Sequence, residues 1–121
     1  MDWAGDGGYK DLIAWQKAMV LVRSVYELTK TWPQHEQFGL TNQVRRAAVS
    51  IPSNVAEGKG RSGIREYSHH LSVAHGSLCE LETQLLIAQD LGYVAEHQSD
   101  LVLQQAAEVG RLLRGLIRSL A

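Results

Sequence analysis

The stretch EYSHHLSVAHGSLCELETQLLIAQDLGY, residues 66–93, decides the fold class. Within it Tyr67, Leu71, Ala74, Leu78, Leu81, Leu85 and Ala88 recur by alternating steps of four and three. That spacing lines one side of an α-helix, where 3.6 residues complete a turn. Gly92 is the natural stop, since glycine enters the left-handed region that a helix C-terminus needs. Ser62 is the predicted N-cap at the other end. A helix over 62–91 follows.

The flanking segments repeat the pattern. Over 96–120, Val102, Ala106, Val109, Leu113, Leu116 and Leu120 share one stripe, and Arg111, Arg114 and Arg118 sit near the end, where cations suit the helix dipole. Over 40–58, Val44, Ala48, Ile51 and Val55 form the stripe, with Thr41 as predicted N-cap. Pro52 lies inside it and removes the bond to the Ala48 carbonyl; the stripe keeps its phase, so the reading is one helix kinked at Pro52. Small residues nearby, Ala47, Ser50, Ser53 and Ala56, allow another backbone close. Over 11–30, Leu12, Trp15, Met19, Val22 and Tyr26 predict the first helix, closed by Pro33. No strand-like alternation competes. Four amphipathic helices with short connections make an all-α, antiparallel four-helix bundle.

The totals agree with one domain, over 10–121, behind a flexible tail over 1–9 that holds Gly5, Gly7 and Gly8. The 121 residues are 45% hydrophobic and 21% charged, ordinary globular composition. No apolar run is long enough to span a bilayer, and Met1 to Gly8 lacks the regions of a secretory signal. One cysteine, Cys79, cannot form an internal disulfide, which suits a cytoplasmic protein. The net charge of −1 excludes binding to nucleic acid by bulk charge; such binding would need a local patch.

Motifs for chemistry are sparse. Gly58, Gly60 and Gly63 spell GxGxxG, but a helix precedes them where a dinucleotide site needs a strand. Glu66 and His69 make a single Glu-x-x-His, whereas a di-iron bundle needs two such pairs. His75 and Cys79 are one helical turn apart, and two ligands make no metal site. No nucleophile has a readable base and orienting partner. The expectation is therefore no catalytic residue, no metal and no cofactor.

The most basic stretch is Arg45, Arg46, Lys59, Arg61 and Arg65, with Glu57 its one acid. These side chains are candidates for contact with an RNA or DNA backbone, aided by the open N-terminus of the helix that follows. The competing reading pairs them with Glu57, Glu80 or Glu82. Arg45 and Arg46 point about 100° apart on a helix, so one can turn inward to Glu80 or Glu82 while the other faces out. Asn54 and Glu57 are expected to satisfy donors near Pro52.

Three segments carry a family resemblance: YKDLIAWQKAMVL from Tyr9, LTNQVRRAAVSIPSNVAEGKGR from Leu40, and the stretch from Glu66 quoted above. Together they resemble the four helix bundle protein family, also called the ribosomal RNA intervening-sequence protein family. The region around Arg45, Arg46, Ser50, Pro52, Asn54, Glu57 and Gly58 is the most specific, and Gly76, Ser77, Leu78, Glu80 and Glu82 form a second anchor. The resemblance implies a bacterial bundle that assembles into a homopentamer. It also implies kinship with accessory proteins of diversity-generating retroelements, which bind nucleic acid and a reverse transcriptase. No enzymatic activity is implied. Two functions follow as expectations: a non-enzymatic, oligomeric nucleic-acid-binding or scaffold protein, or a protein-interaction module that touches no nucleic acid.

Overall fold

The structure is a computed structural model and describes residues 7–121. Four α-helices form it: α1 (Ile13–Thr29), α2 (Leu40–Lys59), α3 (Ile64–Asp90) and α4 (Glu96–Ser119). Short 3-10 turns at Tyr9–Asp11 and Gln34–Glu36 precede α1 and α2. Each helix touches the next and α4 closes back on α1, while the diagonal pairs stay apart, so the cross-section is a square. The α2–α3 seam is the most extensive.

Cross-helix partners fix the directions. On α2 and α3, Gln43 meets Gln84, Ser50 meets Ser77 and Asn54 meets His70. Numbers rise on one helix as they fall on the other, so the pair is antiparallel. Leu78 against Gly110 and His75 against Arg114 show the same for α3 and α4. Among the described residues there is no strand, and no helix is long and apolar enough to cross a membrane.

The stripes of α2 and α3 are buried as predicted, apart from Tyr67, which is half-buried. On α4, Val102, Ala106, Val109 and Leu113 are buried and Leu116 and Leu120 are partly so. The first helix differs. Its buried face is Ala14, Trp15, Ala18, Leu21 and Val25, rotated by about one position from the expected stripe. Tyr26 is instead 40% exposed, and Val25, outside the predicted stripe, is fully buried. Apolar residues occupy both sides of this helix, so two phases compete, and the one that brings Leu21 and Val25 inward wins.

Both predicted N-caps move. Thr41 lies inside α2, whose N-cap is Gly39, and Gly63 rather than Ser62 precedes α3. The first N–H of α2, from Leu40, donates to Glu36 Oε1 at 3.1 Å. A carboxylate folded back from the preceding turn thus replaces the hydroxyl cap. Gly39 permits this, because a Cβ there would lie 2.5 Å from Glu36 Oε1. The end of α3 is as expected: Gly92 has φ +78°, and the Gly92 and Tyr93 N–H groups return to the Gln89 and Ala88 carbonyls.

α2 runs unbroken as a helix through Pro52, which is buried. Residues 1–6 of the expected tail lie outside the described residues. Tyr9 belongs to the fold: it opens a 3-10 turn and its ring meets Trp15 edge-on at 5.3 Å.

Candidate functional site

The polar residues of the α2–α3 seam form a continuous chain. Ser77 Oγ and Ser50 Oγ share a hydrogen bond of 2.9 Å. Asn54 Nδ2 donates to the Ser50 carbonyl and to Ser50 Oγ, at 2.9 and 3.0 Å. With its amide nitrogen so engaged, Asn54 presents Oδ1 to His70 Nδ1 at 3.1 Å. An amide oxygen only accepts, so His70 Nδ1 carries the proton. His70 Nε2 lies 3.7 Å from Glu57 Oε2, and that oxygen accepts from Arg61 at 2.8 Å. Arg61 also lies 3.9 Å from Glu66.

Backbone approach makes the chain possible. A Cβ on Gly58 would stand 2.6 Å from the His70 Cβ and 3.3 Å from the Tyr67 carbonyl oxygen. Only glycine brings the end of α2 this near α3. The Arg61 guanidinium, and then His70, hold the Glu57 carboxyl below the ordinary carboxylate value, and Glu57 in turn raises Arg61. His70 was not a predicted site residue. The signal was its place beside the Tyr67–Leu71 stripe, which puts it on the edge facing α2.

The five basic residues do not form one patch. Arg45 and Lys59 are fourteen residues apart on one helix, about 20 Å along its axis. Arg45 is half-buried; its Nε donates to Thr29 Oγ1 at 2.8 Å and its guanidinium lies 4.6 Å from the Tyr26 ring centre. It turns to α1 and not to Glu80 or Glu82. Arg46 is exposed. At the α2–α3 corner, Lys59 is the last residue of α2, not a loop residue, and its Nζ lies 5.6 Å from the Tyr67 ring centre. Arg65 is exposed in the first turn of α3. Among the described residues, Arg61 alone of the five has a carboxylate partner.

The expected polar network therefore gathers Asn54 and Glu57, around Pro52, but not Glu80 or Glu82. Glu80 is exposed and Glu82 half-buried, and neither makes an ion pair with the described residues. Among those residues no three His, Cys, Asp or Glu side chains gather as metal ligands. His75 Nδ1 and Cys79 Sγ are 3.9 Å apart, and His75 Nε2 accepts from Arg114 at 3.3 Å.

Comparison with known proteins adds two findings. The family described as "23S rRNA-intervening sequence protein" matches residues 10–115. A crystal structure of a protein of unknown function, from the S23 ribosomal protein family of Bacteroides thetaiotaomicron VPI-5482, is similar in fold. Its TM-score is 0.81 at 20% identity, over 87% of this chain and 98% of that one. No curated protein matches the chain.

Proposed function

Because the chain belongs to the 23S rRNA-intervening sequence protein family, we propose that it is a non-enzymatic, oligomeric protein that holds a nucleic-acid backbone. One observation carries this. Of the five basic residues between 45 and 65, four lack a carboxylate partner among the described residues, although the chain as a whole is slightly acidic. Cations left without acids are available to phosphates. Lys59 and Arg65 supply the corner contact and Arg46 a second point on α2. Arg61 is committed to Glu57 and Glu66 and sets the shape of the corner. A ring of copies, a pentamer on the family resemblance, multiplies a modest patch into a continuous one.

Binding by phosphate contact is blind to sequence and sensitive to salt. Three contacts per protomer give a log–log salt slope of about −2 to −3, at roughly −0.9 per phosphate. A folded variant with Arg46, Lys59 and Arg65 changed to alanine should bind RNA and DNA more weakly, with a flatter slope. Unchanged affinity in that variant would remove these residues from the interface.

A protein-interaction module is the second reading. It draws on exposed apolar side chains: Phe38 is 89% exposed, Ile64 64% and Leu101 63%. If the unaltered protein binds neither RNA nor DNA at low salt, this reading replaces the first.

A further inference from the structure

The turn between α1 and α2 encloses a second place where a cation waits without an acid. Thr29, Trp32, Gln34, Gln37, Thr41 and Arg45 wall a cavity of about 380 Å³, with Lys30 at its edge. No carboxylate of the described residues lines it. Arg45 is held in advance: the Tyr26 ring supports its guanidinium, and Thr29 Oγ1 takes its Nε–H while donating to the Val25 carbonyl. Its two terminal nitrogens, the bidentate end of the fork, have no partner among the described residues. A half-buried guanidinium without a counter-ion is costly, since it gives up water for nothing of opposite charge.

Two further groups in the same wall are unpartnered. Trp32 is 6% exposed and Thr41 7%, and the Trp32 Nε1–H and the Thr41 hydroxyl find no hydrogen-bond partner among the described residues. Trp32 Nε1 can only donate, and the Thr41 hydroxyl can. A pinned arginine fork and a lysine lining one cavity, with two orphaned donors buried in the wall behind its surface, are the chemistry of an anion site.

We propose that this cavity binds a phosphate group. The charge favours phosphate over a carboxylate. Arg45 and Lys30 together match a dianion, because the exposed Lys30–Glu27 pair is weak enough to yield. Arg45 takes two oxygens, and Trp32 and Thr41 donate to the others. Both of these atoms are closed to solvent, so binding includes a small shift of the wall. The site lies about 20 Å along α2 from Lys59 and stands whether or not the corner binds nucleic acid.

The experiment is a titration of the full chain with inorganic phosphate at constant ionic strength, observed through the tryptophan indole N–H resonances by NMR. The Trp32 signal should move saturably and the Trp15 signal should not. Arg45→Lys should weaken the response at least about tenfold by loss of the fork. Thr41→Val, which keeps the side-chain shape, should weaken it severalfold. A Trp32 signal that is unmoved at tens of millimolar phosphate, or that moves equally with acetate or in Arg45→Lys, overturns the proposal. RNA oligomers with and without a 5′-phosphate then distinguish the source. Preference for the phosphorylated end assigns a terminal monoester; equal binding that shifts Trp32 assigns a backbone diester. Failure at Trp32 leaves the salt-slope test of the corner untouched.

Discussion

Gly58 and His70 stand so close that a Cβ added to the glycine would lie 2.6 Å from that of the histidine. The contact involves Cβ atoms and a carbonyl, which no rotamer change can move aside. It sets the spacing of the α2–α3 seam and brings the imidazole to Asn54.

Gly58→Ala should therefore destabilise the protein by about 1–3 kcal/mol, as overpacking does. Gly76, in the exposed middle of α3, is a contrast, with nothing within 4 Å of its would-be Cβ. Gly76→Ala should stabilise by about 0.5–1 kcal/mol through helix propensity alone. Urea unfolding of the two variants measures both, and equal effects would refute the difference in environment.

Asn54 makes three hydrogen bonds through one amide, two to Ser50 and one to His70. Asn54→Ala should cost about 1–2 kcal/mol, because it leaves the His70 Nδ1–H facing no acceptor in a half-buried seam. Ser50→Ala should cost less, since Asn54 keeps the Ser50 carbonyl as acceptor. Chemical denaturation gives the order, and a reversed order would show that the serine pair governs the seam.

Acid should weaken the start of α2. The Leu40 N–H, then the Tyr93 hydroxyl, hold the Glu36 carboxyl below its ordinary value of 4.5. A depressed carboxyl contributes stability above the unfolded-state value and loses it as pH falls through the folded-state value. Glu57, depressed by Arg61 and His70, behaves alike. Glu36→Gln should be less stable at neutral pH and should depend less on pH in the acid range. Thermal unfolding across a pH series checks this; parallel curves for the variant and the parent would count against it.

In solution the protein should be an oligomer. Five chains of 13.4 kDa make a ring of about 67 kDa. Exposed Val20 and half-buried Leu103, Leu112 and Ile117 leave apolar surface outside the core. Light scattering at micromolar concentration measures the mass, and a monomer would remove the ring from the argument for a shared basic surface.

The helices were legible because α2, α3 and α4 each carry one unbroken apolar stripe at helical spacing, although α3 also exposes Val73, Leu86 and Ile87. The phase of α1 was not, because Leu12, Met19 and Val22 compete with Ala18, Leu21 and Val25 across a wide apolar arc. The α2 cap was missed because a carboxylate four residues before Leu40, Glu36, takes the place of the Thr41 hydroxyl. The basic stretch looked compact in sequence, but the helical rise separates Arg45 from Lys59. The Asn54–His70 pair depends on the α2–α3 register, which tertiary packing sets.

The Tyr93 hydroxyl donates to Glu36 Oε2 at 2.8 Å, and the two residues are 57 positions apart. Contacts across the α2–α3 turn close far shorter loops, so the entropy of loop closure favours that hairpin as the early nucleus of folding. That order predicts that the Tyr93–Glu36 bond forms after the rate-limiting step, so that it slows unfolding without speeding folding. Tyr93→Phe should steepen no folding limb and slow no refolding, but it should raise the unfolding rate, which stopped-flow measurements in denaturant read directly.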